Sequence, residues 1–106
     1  MADIDVPAVL REWASNLRAE TVRVGFSLPA ESDANKAAVT LETPTHVASI
    51  RVWGNGMIEF IVLDTRQREE VIMWDKEYTS LEQLQELLDS CIESFSRLIG
   101  DPPRLR

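Results

Sequence analysis

Residues 46–64, HVASIRVWGNGMIEFIVLD, decide the fold because apolar and polar side chains alternate on both sides of a glycine-rich turn. Two such stretches around Gly54-Asn55-Gly56 predict an antiparallel hairpin. A two-residue turn would set Arg51 opposite Phe60 and mix charge with core on both faces. We therefore predict a three-residue loop, which keeps the two faces distinct. The resulting pairs are Val52–Ile58, Ile50–Phe60 and Ala48–Val62 on one face, and Arg51–Glu59 and Trp53–Met57 on the other.

The rest of the chain supplies three more strands and two helices. Two-residue alternation predicts the strands, and apolar residues at three- and four-residue steps predict the helices, with Asp5 and Ser80 as N-caps. The order predicts a single domain, 1–106, of the α+β class: an antiparallel β-meander of about five strands with N- and C-terminal helices packed on one face. The expected elements are a helix over 6–19, strands over 21–28, 37–43, 46–53, 57–64 and 69–78, a helix over 81–99 and a tail over 100–106.

The sheet face away from the helices carries more large apolar side chains than a solvated face requires. Its hairpin residues are expected to be Ser49, Arg51, Trp53, Met57, Glu59, Ile61 and Leu63. In the last strand four apolar residues, 71–74, are consecutive, so two of them point outward in any register. A four-residue turn before that strand places Ile72 and Trp74 outward, opposite Ile61 and Glu59, and this is the register we adopt.

An exposed apolar patch with an acidic rim commonly marks an interaction site. Three coverings are open at this point: a different protein, a second copy of this chain, or the chain's own N-terminal segment. The polar segment Pro29–Lys36 is a further candidate contact, as a mobile acidic wedge.

The overall charge restricts the class of partner. The chain has 11 Lys and Arg against 18 Asp and Glu, a formal net charge of -7. Nucleic-acid binding depends on basic side chains that displace counterions, so a basic protein is the expected partner and nucleic acid is not. An acidic N-terminus, no apolar run of membrane-spanning length and a single cysteine favour a cytoplasmic protein with no membrane partner.

No catalytic motif is present, and the chemically capable residues have plainer roles. His46 stands at a strand start with no cysteine or carboxylate at ligand spacing, which favours a surface or strand-end residue. Cys91 lies on the apolar side of a helix, which favours an inert core thiol. Glu69 and Glu70 are adjacent in a strand and therefore point to opposite faces. We predict no enzymatic activity, no cofactor and no metal.

The segment 47–78, VASIRVWGNGMIEFIVLDTRQREEVIMWDKEY, followed by an amphipathic helix, resembles the TriTu family of bacterial immunity proteins. The shared pattern is a strand ending in Val-Trp, a glycine-containing turn, an apolar-acidic strand, an acidic turn, a strand and a helix. It extends loosely from the first helix to about Leu98. The resemblance implies an immunity protein, without catalysis or cofactor, that binds an Rhs-type ADP-ribosyltransferase toxin. That toxin is delivered by type VI secretion and modifies elongation factor Tu.

The resemblance assigns no contact residues, so we take them from the exposed patch. We expect a chain that is monomeric before binding and blocks a basic active-site cleft in the toxin. A second interpretation, from the composition, is a small acidic type III secretion chaperone that binds one effector as a homodimer. The predicted contact residues are Arg51, Trp53, Met57, Glu59, Ile61, Glu70, Trp74 and Asp75.

Overall fold

The computed structural model describes residues 4–18, 22–27, 35–100 and 104–105. The elements in this part of the chain are α1 (Val6–Ser15), β1 (Leu17–Arg18), β2 (Arg23–Ser27), β3 (Lys36–Glu42), β4 (His46–Trp53), β5 (Met57–Asp64), β6 (Glu69–Glu77), α2 (Leu81–Ile99) and β7 (Arg104–Leu105). Strands β2 to β6 form one antiparallel sheet in chain order, and β1 pairs with β7 in a separate two-stranded sheet. The predicted α+β meander with a helix at each end is confirmed.

Helix α1 is shorter than its apolar spacing predicts. Asp5 caps its start by accepting a hydrogen bond from the Ala8 amide at 3.2 Å. The helix ends at Ser15, and the prediction that it continues to residue 19 is wrong. Leu17 is buried as expected, but it belongs to β1 and not to the helix. A single apolar residue at helical spacing does not distinguish the two, because an extended chain can bury it equally well. Residues 19–21 and 28 lie outside the described residues.

Helix α2 has the predicted bounds and both predicted caps. The Ser80 hydroxyl accepts from the Gln83 amide at 3.1 Å, and Gln83 in turn accepts from the Thr79 amide at 2.7 Å. Gly100 ends the helix with a φ of 67°, a left-handed conformation that glycine adopts without strain. Residues 100–106 were predicted to be a tail, but the two residues described beyond Gly100 form the short strand β7.

Both helices cover the same face of the sheet. Helix α1 lies over β2 and β3, and α2 lies over β4 and β5. Their apolar stripes and the inward residues of the strands form one continuous core, in which Leu10, Ile50, Phe60, Leu88 and Phe95 are fully buried. The indole Nε1 of Trp13 also donates to an Asp89 carboxylate oxygen on α2 at 3.2 Å. We call the opposite side of the sheet the outer face, and neither α1 nor α2 covers it.

The hairpin β4–β5 has the predicted three-residue loop and every predicted pair. Gly56 has a φ of 105°, a conformation that other residues rarely adopt, and a Cβ on Gly54 would meet the Asn35 side chain at 2.3 Å. Asn35 joins the hairpin to the start of α1. Its carbonyl accepts from the Gly54 amide at 2.7 Å, and its side chain accepts from the Val6 amide at 2.9 Å and donates to the Ile4 carbonyl at 2.8 Å. The Tyr78 hydroxyl donates to the Trp53 carbonyl at the same end.

The predicted register of β6 is wrong by one residue. The turn after Asp64 has the expected four residues, since Asp64 pairs with Glu69. The pairing then shifts, because Leu63 opposes Glu70 while Val62 opposes Ile72, which leaves Val71 as an extra residue in a β-bulge. Beyond the bulge Trp74 opposes Phe60 and not Glu59, so Ile72 and Trp74 lie on the core-facing side and Met73 lies on the outer face.

Candidate functional site

The outer face of β4, β5 and β6 forms the candidate site, and the pairing registers order it into rows across the strands. Cross-strand partners have side chains on the same face, so each row is a set of neighbours. An apolar end and an aromatic end are separated by a charged row. From one end to the other, the rows are Val47–Leu63–Glu70, Ser49–Ile61–Met73, Arg51–Glu59–Asp75 and Trp53–Met57–Glu77.

The apolar end of this face is open to solvent. Met73 is 64% exposed and Leu63 is 40% exposed, which are high values for side chains of this size. Ile61 lies between them in the sheet and is half-buried. Large apolar groups that stay accessible side by side on a small domain are typical of a surface that a partner covers.

The charges of this face are predominantly negative. Glu59, Glu70, Asp75 and Glu77 contribute carboxylates, and Arg51 contributes the one positive charge among the outer-face residues of these three strands. The Arg51 guanidinium lies 3.8 Å from the Glu59 carboxylate, with 59% and 26% of the two side chains exposed. Asp75 lies directly opposite Glu59, another carboxylate. Within the described chain, Asp75 has no ion-pair partner.

Two carboxylates opposite each other on neighbouring strands destabilise the sheet slightly. Arg51 offsets this repulsion from one side only, because it lies on β4 while Asp75 lies on β6. A positive group placed beyond Asp75 would give each of the two carboxylates a positive neighbour in the row. In the free protein this repulsion between Glu59 and Asp75 is therefore only partly offset.

The structure brings together most of the residues predicted from the sequence. Arg51, Trp53, Met57, Glu59, Ile61, Glu70 and Asp75 all lie on the outer face. Trp53 and Met57 are half-buried at the hairpin end, and Ile61 is half-buried at the centre. Whether these residues contact a partner stays a prediction.

Trp74 does not belong to this face. Its ring packs against Phe60, with centroids 5.5 Å apart and planes inclined by 56°. The Lys76 ammonium lies over the Trp74 ring, 4.7 Å from its centroid. Met73 lies opposite Ile61, the outward place predicted for Ile72, and Asp75 lies opposite Glu59, the outward place predicted for Trp74. Four consecutive apolar residues indicate that two of them point outward but do not show which two, so Met73 was missed in the prediction from sequence.

A polar cluster closes the other end of the same strands. His46 is buried at the first position of β4, with Nε2 3.8 Å from an Asp64 carboxylate oxygen and Nδ1 2.8 Å from the Thr45 hydroxyl. Asp64 also accepts from the Arg66 guanidinium at 3.2 Å and from the Arg66 amide at 2.9 Å. These hydrogen bonds from Arg66 hold the pKa of Asp64 below its ordinary value, although burial opposes them. The prediction of a strand-end histidine is confirmed, but the residue is buried, not on the surface.

The other chemically capable residues form no reactive site in the described chain. Burial raises the pKa of the Cys91 thiol to about 12, so the nucleophilic thiolate is scarce at neutral pH. Glu69 opposes Asp64 while Glu70 opposes Leu63, which places the two carboxylates on opposite faces as predicted. The described residues contain no group of three or more His, Cys, Asp or Glu side chains close enough to hold a metal ion.

A cleft lies between α1 and α2. It encloses about 180 Å³ beside the start of α2 and contains a single carboxylate and no histidine or cysteine. It is lined by Val9, Glu12, Trp13, Asn16, Leu81 and Gln85. None of the predicted contact residues lies in it. Among the described helices, none is long and apolar enough to cross a membrane.

Comparison with protein families identifies the chain. The family model described as immunity protein TriTu matches residues 10–94, which is most of the sequence and includes every strand of the meander. The chain belongs to the TriTu family of immunity proteins. Comparisons with curated proteins and with solved structures find no match.

Membership in the TriTu family gives the outer face a functional context. An immunity protein protects by binding a cognate toxin, and immunity proteins generally act without catalysis of their own. The matched region 10–94 contains both the covered inner face and the uncovered outer face of the sheet.

Proposed function

We propose that this TriTu-family protein neutralises a secreted ADP-ribosyltransferase toxin of the Rhs type by blocking its active-site cleft with the outer face. The toxin would be delivered by type VI secretion and would otherwise modify elongation factor Tu. The observation that carries the proposal is the outer face itself: exposed Leu63 and Met73 beside a row in which Glu59 and Asp75 lie opposite each other.

Charge supports a basic cleft as the surface that is bound. A transferase must attract the pyrophosphate of NAD, so its cleft favours positive groups. An acidic face meets such a cleft with complementary potential, which accelerates association and suppresses wrong partners. The net charge of -7 extends the same attraction over the whole domain.

Apolar contact supports the affinity of the complex. Binding energy in protein interfaces concentrates in a few well-packed apolar and aromatic groups that become fully desolvated. Ile61 and Met73 are paired across β5 and β6, and Trp53 and Met57 are paired across β4 and β5. Met73 replaces Trp74 in the predicted contact set, in which Ile61, Trp53 and Met57 remain.

The direct test is co-purification of the tagged chain with the toxin domain encoded immediately upstream. The mass of the complex and its NAD-dependent transferase activity are measured on the same sample. We expect a stoichiometric complex with the activity abolished, from a protein that is monomeric alone. A stable dimer that binds no toxin would contradict the proposal and favour a chaperone or a structural homodimer.

A matched pair of variants then locates the contact. Met73→Ala removes an exposed apolar side chain from the outer face, and Leu81→Ala removes one from α2, where 42% of the residue is exposed. We expect toxin affinity to fall about fivefold or more for Met73→Ala and to stay within about twofold for Leu81→Ala. Equal effects of the two variants, or a larger effect of Leu81→Ala, would place the contact elsewhere.

A further inference from the structure

Strand β6 is an edge of the five-stranded sheet. In the described chain its strand neighbour is β5, and no strand follows it on the other side. An edge strand leaves alternate backbone N–H and C=O groups without ladder partners, and these groups are a template for another extended chain. The question is which residues of β6 present them.

The hydrogen bond from the Tyr78 amide to the Gly56 carbonyl, at 2.8 Å, fixes the phase of the ladder. In an antiparallel pair, the residues that exchange hydrogen bonds alternate along the strand with residues whose polar groups point away. Counting back from Tyr78, residues 76, 74 and 72 therefore turn their backbone toward β5. Met73, Asp75 and Glu77 turn theirs toward the open edge.

The same three residues have their side chains on the outer face. Met73 continues the apolar row from Ile61, Asp75 continues the charged row from Glu59, and Glu77 lies opposite Met57. The free edge therefore presents a row of backbone groups together with one apolar and two acidic side chains. The bulge at Val71 ends this regular stretch on one side, and Tyr78 ends it on the other.

Self-pairing of this edge is disfavoured by charge. A symmetric antiparallel pairing of two copies centred on Asp75 would place the two Asp75 carboxylates opposite each other and Met73 opposite Glu77. Like charges directly opposite on paired strands are destabilising. A strand with basic side chains would instead complete the row Arg51–Glu59–Asp75 with a positive group.

We infer that the free edge of β6, from Ile72 to Glu77, takes up an extended segment of the toxin as a sixth strand of the sheet. The inference rests on the proposed toxin binding and specifies how it is made. The incoming strand carries basic residues opposite Glu77 and Asp75 and an apolar residue opposite Met73. The side chains of this segment that share the outer face therefore follow the order basic-x-basic-x-apolar in one direction along the segment. Backbone hydrogen bonds supply affinity in this mode, and the alternate side chains supply specificity.

The test compares two substitutions at one position. Asp75→Pro removes the outward amide as well as the carboxylate, and proline is tolerated at an edge position whose N–H faces solvent. Asp75→Ala removes only the carboxylate. We expect Asp75→Pro to bind the toxin domain about tenfold more weakly than Asp75→Ala, because an amide that hydrogen-bonds the toxin is lost. Equal affinities of the two variants would overturn strand addition, while toxin binding itself would stand.

Hydrogen exchange on the unmodified protein gives a second measurement that does not depend on whether Asp75→Pro folds. In the free protein we expect fast exchange at the amides of Met73, Asp75 and Glu77 and slow exchange at those of Trp74 and Lys76. The purified toxin domain should slow the first three selectively. If the toxin binds and these three amides keep their free exchange rates, the edge is not the contact. If the toxin does not bind at all, the proposed function fails together with the inference.

Discussion

The indole of Trp74 packs on the ring of Phe60, 5.5 Å from centroid to centroid, at the exposed edge of the core. Phe60 is fully buried on β5, and its partner on β6 holds the last strand in register over the core. An aromatic pair of this geometry contributes beyond the area that it buries. The contact therefore secures the strand whose other side chains form the outer face.

Replacement of Trp74 by alanine should lower the free energy of unfolding by about 1–3 kcal/mol, because it removes a half-buried aromatic group from the edge of the core. Met73→Ala, one residue away on the outer face, should change it by no more than about 0.5 kcal/mol. Urea unfolding of both variants measures the difference. A larger loss for Met73→Ala than for Trp74→Ala would mean that the faces of β6 are exchanged.

Asp75→Asn should change stability and affinity in opposite directions. The variant relieves the repulsion from Glu59 and should stabilise the free protein by about 0.2–1 kcal/mol. It should also weaken toxin binding and make that binding less dependent on salt, since a charge that faces the basic partner is gone. Thermal unfolding and binding at two salt concentrations measure both effects. Glu86→Gln, on the exposed side of α2, is the control that should leave affinity unchanged.

Acid should destabilise the protein in part through Asp64. The hydrogen bonds from Arg66 lower the pKa of this carboxyl in the folded state, so the unfolded state binds a proton first as the pH falls. The contribution is present above the ordinary pKa of an aspartate, about 3.9, and is lost as the pH drops through the lower folded value. Wild type should therefore lose stability relative to Asp64→Asn as the pH falls below about 5, as measured by urea midpoints.

Arg66→Ala separates the causes of that pH dependence. It removes the guanidinium and keeps the backbone amides of positions 66 and 67, which donate to the Asp64 carboxylate at 2.9 and 3.3 Å. The acid-dependent loss should shrink without vanishing. The same loss in wild type and in Asp64→Asn would show that other carboxyl groups account for the acid sensitivity.

Cys91 should resist thiol reagents while the protein is folded. Burial raises the pKa of its thiol to about 12, against an ordinary value near 8.5, so very little thiolate forms at pH 8. Because this is the single cysteine of the chain, labelling with a chromogenic disulfide reports on it alone. We expect slow labelling in buffer and complete labelling in denaturing urea. Rapid labelling of the native protein would contradict the buried position on α2.

The hairpin could be predicted residue by residue because its two possible registers differ in kind. One register mixes Arg51 and Glu59 with core residues and the other keeps them apart, so the sequence itself excludes the first. The bounds of α2 followed in the same way from Ser80 and Gly100, which have special roles at helix ends. Register and helix bounds could therefore be predicted where a residue type, such as a charge or a capping residue, is compatible with only one position.

The errors arose where residue types do not discriminate. The run Val71–Trp74 is wholly apolar and suited to a strand, so each of its residues could lie on either face of the sheet. The β-bulge at Val71 is not marked by any particular residue type in the sequence. Leu17 fits a helix and a strand equally well at the position where α1 ends. The anchoring by Asn35 was missed because it joins the start of α1 to the hairpin turn, two segments far apart in the chain.

The bulge at Val71 makes this position a tolerant site for a change in chain length. A deletion inside a strand normally exchanges the faces of every residue that follows. Removal of Val71 alone would join Glu70 to Ile72 and leave the pairs Leu63–Glu70 and Val62–Ile72 as they are. The shortened chain would keep its core and its outer face. Its last strand would be flatter, however, and edge strands without a bulge are more prone to aggregate.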